Sequence, residues 1–133
     1  MSDDRKFQDV AVVLVAAGAG VRAGAGLPKQ FRLVAGRPLI ARAIEALANG
    51  LPGSRIIPVI NPAAAEVYAR SIAGLSPRAA AALEPWVAGG ASRQSSAHAG
   101  VEAVATNTSI KIVLIHDCAR PFASSKFPWP LAR

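Results

Sequence analysis

The chain has 133 residues, 52% of them apolar and 17% charged, with a net charge of +7 at pH 7. That length fits one domain with a real core, and no apolar run approaches the ~18 residues of a membrane span, so a soluble protein without a membrane partner is expected. The fifteen Lys and Arg are scattered with no basic run among few aromatics, which argues against a nucleic-acid partner and for a solvated surface or a site for phosphorylated metabolites.

Asp3, Asp4 and Asp9 beside Arg5 and Lys6 deny the N-terminus the cationic start of a secretory signal. A single cysteine, Cys118, has no partner for an internal disulfide. Together they point to a cytoplasmic address. Val10-Ala11-Val12-Val13-Leu14-Val15 is a β-branched run without polar alternation, the pattern of a parallel strand buried on both faces. It ends in a Gly-rich turn. From Arg37-Pro38 onward, Leu39, Ile40, Ala43, Ile44 and Leu47 recur at helical spacing, with Asn49-Gly50 as the stop.

Ile56-Ile57-Pro58-Val59-Ile60 predicts a second strand, with a free edge at Pro58 because proline cannot donate to a ladder. Asn61-Pro62 opens a helix over 63–73, ended by Gly74, and 77–83 adds another turn or two. Trp86-Val87 is a brief extended segment before Gly89-Gly90. Ser92 then caps a helix running to about Ala105, with His98, Val101 and Val104 or Ala105 marking its repeat. Residues 110–115 form the last strand, expected to be buried, and the tail 123–133, crowded by Pro128 and Pro130, has neither helical nor strand period. Strands alternating with helices imply a parallel sheet between helices, a three-layer α/β domain. A sheet that stops just after its fourth strand leaves an edge with nothing beside it, so the chain reads as cut at its C-terminal end.

The segment 16–30 carries the chemistry. Gly18, Gly20, Gly24 and Gly26 directly follow the first strand, and Arg22 and Lys29 add charge. Glycines let backbone N–H groups approach an anion closely, so phosphate binding is the natural use. A Walker A loop needs Gly-Lys-Ser/Thr at its end, whereas Lys29 lies between Pro28 and Gln30. A dinucleotide fingerprint needs a helix starting within the glycines and an acid closing the second strand. Instead Phe31-Arg32-Leu33-Val34 intervenes, and the second strand ends at Ile60-Asn61. A plain Gly-Ala connector stays open as the bland alternative, although it does not account for Arg22 and Lys29.

Ala16-Ala17-Gly18-x-Gly20-x-Arg22-x-Gly24 followed by Pro28-Lys29-Gln30 resembles the signature of nucleotidyltransferases that make nucleoside-diphosphate sugars and sugar alcohols. The Pro-Lys-Gln form is similar to the 2-C-methyl-D-erythritol 4-phosphate cytidylyltransferases of the non-mevalonate isoprenoid pathway. Gly89-Gly90-Ala91-Ser92-Arg93-Gln94-Ser95-Ser96 and His116-Asp117-Cys118-Ala119-Arg120-Pro121-Phe122 resemble two further blocks of that family, in the same order. Gly36-Arg37-Pro38-Leu39-Ile40-Ala41-Arg42 is similar to the bifunctional versions fused to a cyclodiphosphate synthase.

The resemblance implies a Rossmann-like nucleotidyltransferase domain with a mostly parallel sheet, C-terminally truncated, of which residues 1–122 are the N-terminal part. It implies transfer of CMP from CTP to methylerythritol phosphate with release of pyrophosphate. Arg22 and Lys29 would bind the triphosphate and stabilise the α-phosphorus. Ala16, Ala17, Gly18, Ala19 and Gly20 would cradle phosphates. Gly89 and Gly90 would let backbone approach the cytosine, Ser96 would reach base or ribose, Arg93 would be a binding residue of the same block, Asp117 would hold Mg²⁺, and Arg120 would lie near the substrates. His116 reads equally as a structural hydrogen bonder, His98 as an ordinary helix residue, and Cys118 as small filler rather than a nucleophile. A cytidylyltransferase for ribitol phosphate shares these motifs, and a non-catalytic nucleotide-binding fragment stays open. The family's dimer arm, second metal-binding aspartate, late lysine and acceptor residues have no counterpart in this sequence, so the chain is expected to be poorly active alone.

Overall fold

A computed structural model describes residues 5–18 and 27–118. Four parallel strands form the central sheet in the order β5-β4-β1-β6, where β1 is Val10–Ala16, β4 Arg55–Ile60, β5 Val87–Ala88 and β6 Ile112–Asp117. A separate hairpin pairs β2 (Leu33–Val34) with β3 (Arg37–Pro38). The helices are α1 (Leu39–Gly50), α2 (Ala65–Ser71), α3 (Pro77–Ala82) and α4 (Arg93–Val104). None of the described helices is long and apolar enough to cross a membrane.

Every residue of β1 is buried. Successive side chains of a strand point to opposite faces, and both faces of β1 are covered. Val10, Val12, Leu14 and Ala16 pack with Ile40, Ile44 and Leu47 of α1 and with Ile56 and Ile60 of β4. Val13 and Val15 pack on the other face with Val59, Ala97 and Val101. The sheet therefore lies between α1–α3 and α4, the three layers expected from the sequence. Burying each Leu or Ile of this core contributes roughly 1.5–3 kcal/mol.

Helix α1 follows its apolar stripe, with Ile40, Ala43, Ile44 and Leu47 buried. Its Glu45 ties the layer together: it accepts from both the N–H and the hydroxyl of Ser76, each at 2.8 Å, and pairs with Arg37 at 3.4 Å. Burial alone would raise the Glu45 pKa, but these donors outweigh it and hold the carboxyl below its ordinary value.

Four details depart from the sequence expectations. The hairpin β2–β3 turns through Ala35 and Gly36, both at positive φ (54° and 85°), the geometry of a two-residue I′ turn. Arg42 steadies it by donating to the carbonyls of Val34 (2.5 Å) and Ala35 (3.1 Å). Next, β4 is an interior strand and not an edge. Pro58 is tolerated because its nitrogen faces the β5 side, where the ladder begins only at Val59. In α4 the buried positions are Ser96, Ala97 and Gly100, whereas His98 is exposed beside Glu102. Gly100 allows this close approach, since a Cβ there would collide with Val13 and Val59.

The last difference concerns β6. It starts two residues later than the 110–115 expectation, once Lys111 and Ile112 have donated to the carbonyl of Asp9. Its apolar residues, Ile112, Val113, Leu114 and Ile115, are exposed instead of buried. The helices pack over β5, β4 and β1. Pairing with β1 gives β6 its backbone partners but not its cover.

Candidate functional site

In the sheet, β4 and β5 extend to one side of β1 and β6 lies on the other. The chain thus reverses its direction of growth between β1 and β6, and open α/β sheets bind ligands at the C-terminal ends of the strands flanking such a point. A cleft of about 430 Å³ opens there, lined by Ala16, Ala17 and Gly18 after β1, by Gly90, Ser92, Arg93 and Ser96 at the start of α4, and by Asp117 at the end of β6. Residues far apart in sequence are brought together in it. A larger hollow of about 510 Å³ lies at the opposite pole, near Arg5, Arg55 and Arg78, and none of the sequence-marked residues lines it.

The first wall is the exit of β1. Gln30 is buried, and its Nε2 donates to the carbonyls of Ala16 at 2.7 Å and Gly18 at 3.3 Å. This residue was not among the sequence candidates. Lys29 is exposed, on the short 3-10 turn Lys29–Phe31 whose other two residues are buried. Its backbone is anchored beside the cleft-lining Gln30, but Lys29 itself is not among the cleft-lining residues. Ala19, Gly20, Arg22 and Arg120, together with the tail 123–133, lie outside the described residues.

The second wall is the turn from β5 into α4. Gly89 donates its N–H to Ile60 at 2.8 Å, and a Cβ at Gly89 would sit 2.5 Å from that of Ala17. Only glycine lets this strand end pass so close to the exit of β1. Ser92 caps α4 through a reciprocal arrangement with Ser95, each backbone N–H bonded to the other's hydroxyl at 3.0 Å. Ser96 is buried, and its hydroxyl accepts from the Gly90 N–H at 3.0 Å. Its oxygen therefore holds the turn in shape from the floor of the cleft.

The third wall is Asp117. It sits within β6, opposite Val15 in the ladder, and not beyond the strand as the sequence suggested. That register puts it on the α4 face of the sheet, and Arg93 Nε meets its Oδ2 at 3.3 Å. Cys118 continues the pairing by donating its N–H to Val15 at 2.9 Å, and its side chain is fully buried in the main core. Burial, with the neighbouring Asp117 charge, pushes its thiol up to about 12. A thiol held neutral in this way is packing, as its position implied. His116 is half-buried next to it.

A family model described as IspD, 2-C-methyl-D-erythritol 4-phosphate cytidylyltransferase, matches residues 10–127. The bifunctional enzyme IspD/IspF of Bradyrhizobium diazoefficiens is 49% identical over 119 residues, covering 90% of this chain and 28% of that enzyme. The enzyme of the same description from Nitrobacter hamburgensis is 47% identical over 114 residues, or 86% of this chain and 27% of its own length. Both descriptions agree with the bifunctional likeness of residues 36–42. The crystal structure of 4-diphosphocytidyl-2C-methyl-D-erythritol synthase from Anaerococcus prevotii superposes with a TM-score of 0.66 at 24% identity, covering 92% of this chain and 47% of that one. This last likeness speaks to the fold. The chain spans little more than a quarter of the curated relatives it matches and about half of the solved one.

Proposed function

Because this chain belongs to the 2-C-methyl-D-erythritol 4-phosphate cytidylyltransferase family, we propose that its cleft takes the triphosphate and cytosine of CTP, and that the protein transfers CMP to methylerythritol phosphate. The observation that carries this reading is the convergence of three distant segments, Ala16-Ala17-Gly18, Gly90-Ala91-Ser92-Arg93 and Asp117, on one cleft at the reversal point of the sheet.

In that reaction an acceptor phosphate oxygen attacks the α-phosphorus, a new P–O bond forms, and the bond to the β-phosphate breaks to release pyrophosphate. No protein nucleophile is needed, and the neutral Cys118 offers none. Catalysis rests on alignment and on neutralising the charge that builds on the α-phosphate and leaving group. The exit of β1 supplies N–H groups, and Lys29 and Arg22 supply the charge. The Gly89-Gly90 turn keeps backbone close to the base, with Ser96 fixing its shape.

Asp117 is the carboxylate that would hold Mg²⁺. Among the described residues no group of three or more His, Cys, Asp and Glu converges. A single carboxylate lining the cleft suits Mg²⁺, which keeps several waters and is completed by substrate phosphates. When bound, the cation would screen the crowded phosphate charge. The cytoplasmic address expected from the sequence is part of this proposal.

Calorimetry with CTP in the presence of Mg²⁺ tests it. The chain should bind CTP, and Asp117→Asn should weaken binding about tenfold or more, ~1.4 kcal/mol, with unchanged affinity when Mg²⁺ is replaced by EDTA. Equal CTP affinity in both proteins with Mg²⁺ would remove Asp117 from the site. Failure of CTP to bind to the wild-type chain, while NAD(P) protects it against thermal unfolding, would replace this reading with a dinucleotide site.

A further inference from the structure

We propose that Gln30 is the positioning residue of the phosphate loop: its side-chain amide holds the carbonyls of Ala16 and Gly18 and so fixes which way the backbone leaving β1 faces. The inference rests on the reading of this cleft as the triphosphate site. It adds a role to a residue that neither charge nor the Gly-rich spacing singles out.

The geometry is specific. Gln30 is 3% exposed, and a buried amide needs its hydrogen bonds met. Both observed acceptors lie on the loop exit, at 2.7 and 3.3 Å from the same nitrogen. Gln30 is itself anchored from behind. Phe31, next to it, is buried in the main core with Ile40 and Ile44, and the turn is closed by the Phe31 N–H on the Pro28 carbonyl at 3.0 Å. The amide is a brace running from the core to the loop.

The consequence follows from peptide geometry. All described peptide bonds are trans, and a trans peptide points its N–H away from its C=O. Capture of the Ala16 oxygen therefore sends the Ala17 N–H the opposite way. Each captured carbonyl is also an oxygen that cannot turn toward an incoming polyanion and repel it. The exit of β1 is thereby preset as a donor surface before ligand arrives, which spares the ordering cost on binding. Because Lys29 directly precedes Gln30, the brace also ties the backbone of this cation to the exit of β1.

Three variants of the full chain separate this from a packing role. Gln30→Met keeps the size and removes the donors; Gln30→Glu keeps the shape and offers a donor only when protonated; Phe31→Leu perturbs the packing behind the brace and leaves the amide. Two-dimensional NMR reads the backbone, and calorimetry with tripolyphosphate reads the ligand. In Gln30→Met, the Ala17 and Gly18 amide signals should shift and exchange faster, those of Val12, Val13 and Val59 should stay, and tripolyphosphate affinity should fall about tenfold or more.

Gln30→Glu should be weaker still at pH 8 and recover relative to wild type toward pH 5, as the carboxyl regains a proton to donate. Phe31→Leu, which loosens the anchor but keeps the amide, should shift the loop signals less than Gln30→Met does. The proposal is overturned if Gln30→Met leaves the Ala17 and Gly18 signals and the affinity unchanged, or moves the sheet signals as much as the loop signals. A wild-type chain that does not bind tripolyphosphate would count against the triphosphate site, and the NMR comparison would then decide the brace by itself.

Discussion

Strands β1 and β6 run side by side in parallel; β1 is wholly apolar, and β6 opens with the four apolar residues Ile112 to Ile115. Their fates differ. Val12 and Val13 are 0% exposed, while Leu114 and Ile115, the residues they pair with, are 36% and 46% exposed. Residues paired across a ladder share a face, so among the described residues β6 is partly exposed both on the α1 side and on the α4 side. Hydrogen bonding gives a strand its place in a sheet; the helices above and below give it its burial. The proposed site straddles this contrast, with the Ala16-Ala17-Gly18 wall rising from a fully buried strand and the Asp117 wall from its partly exposed neighbour.

The widest gap should appear in stability. Leu14→Ala empties a fully buried position between α1 and β4 and should cost about 2–5 kcal/mol in urea unfolding, the range for large-to-small core changes. Leu114→Ala removes a side chain already partly in water and should cost about 1 kcal/mol or less. Comparable losses at the two positions would mean that β6 is covered in solution, and the contrast would disappear.

How far the sequence disclosed this architecture follows the same division. β1 and α1 were legible because their residues carry the whole signal: a six-residue apolar run in one, a stripe at helical spacing in the other. The exposure of β6 was not, because its apolar run is that of a doubly buried strand and the missing information lies in its neighbours. The β2–β3 hairpin was hidden by Ala35, which occupies a positive-φ position where Asn or Gly would have announced an I′ turn. His98 was given to the α4 repeat because that helix packs through its small residues, Ala97 and Gly100, which hydrophobic periodicity hardly registers. Within the site, motif likeness marks Asp117, Gly90 and Ser96, which line one cleft, Gly89, which packs behind it against Ala17 and Ser96, and Lys29, which does not line it. Gln30 stands in the Pro-Lys-Gln motif, but its bracing role is not legible there because it depends on carbonyls 14 and 12 residues away. The reciprocal bonds of Ser92 and Ser95 refined a cap that the sequence had placed correctly.

A moderate effect is expected in self-association. Ile112, Val113, Leu114 and Ile115 form an uncharged, proline-free edge, the kind of strand that recruits another edge unless it is blocked by charge. Sedimentation velocity should show concentration-dependent association of the wild-type chain. The pair Ile112→Lys with Leu114→Lys should weaken that association about tenfold or more, ~1.4 kcal/mol, because both residues lie on one face at the edge. A wild-type chain that sediments as a monomer throughout the micromolar range would show that this edge is not available to a second strand.

The smallest effect on stability is expected where the two walls meet. Arg93 reaches Asp117 from the first turn of α4, but its side chain is 54% exposed, and pairs this wet contribute roughly 0–1 kcal/mol. Arg93→Ala should therefore leave the unfolding midpoint nearly unchanged. It should nevertheless alter the site, since it takes one competing cation away from the carboxylate proposed to hold Mg²⁺. Mg²⁺ titrated without nucleotide should bind more tightly to Arg93→Ala than to the wild-type chain, while CTP with Mg²⁺ should bind more weakly because a cation lining the cleft is gone. If both affinities move in the same direction, Arg93 is tuning the position of Asp117 rather than competing for it. If neither moves, the 3.3 Å contact is a surface pair with no part in the site.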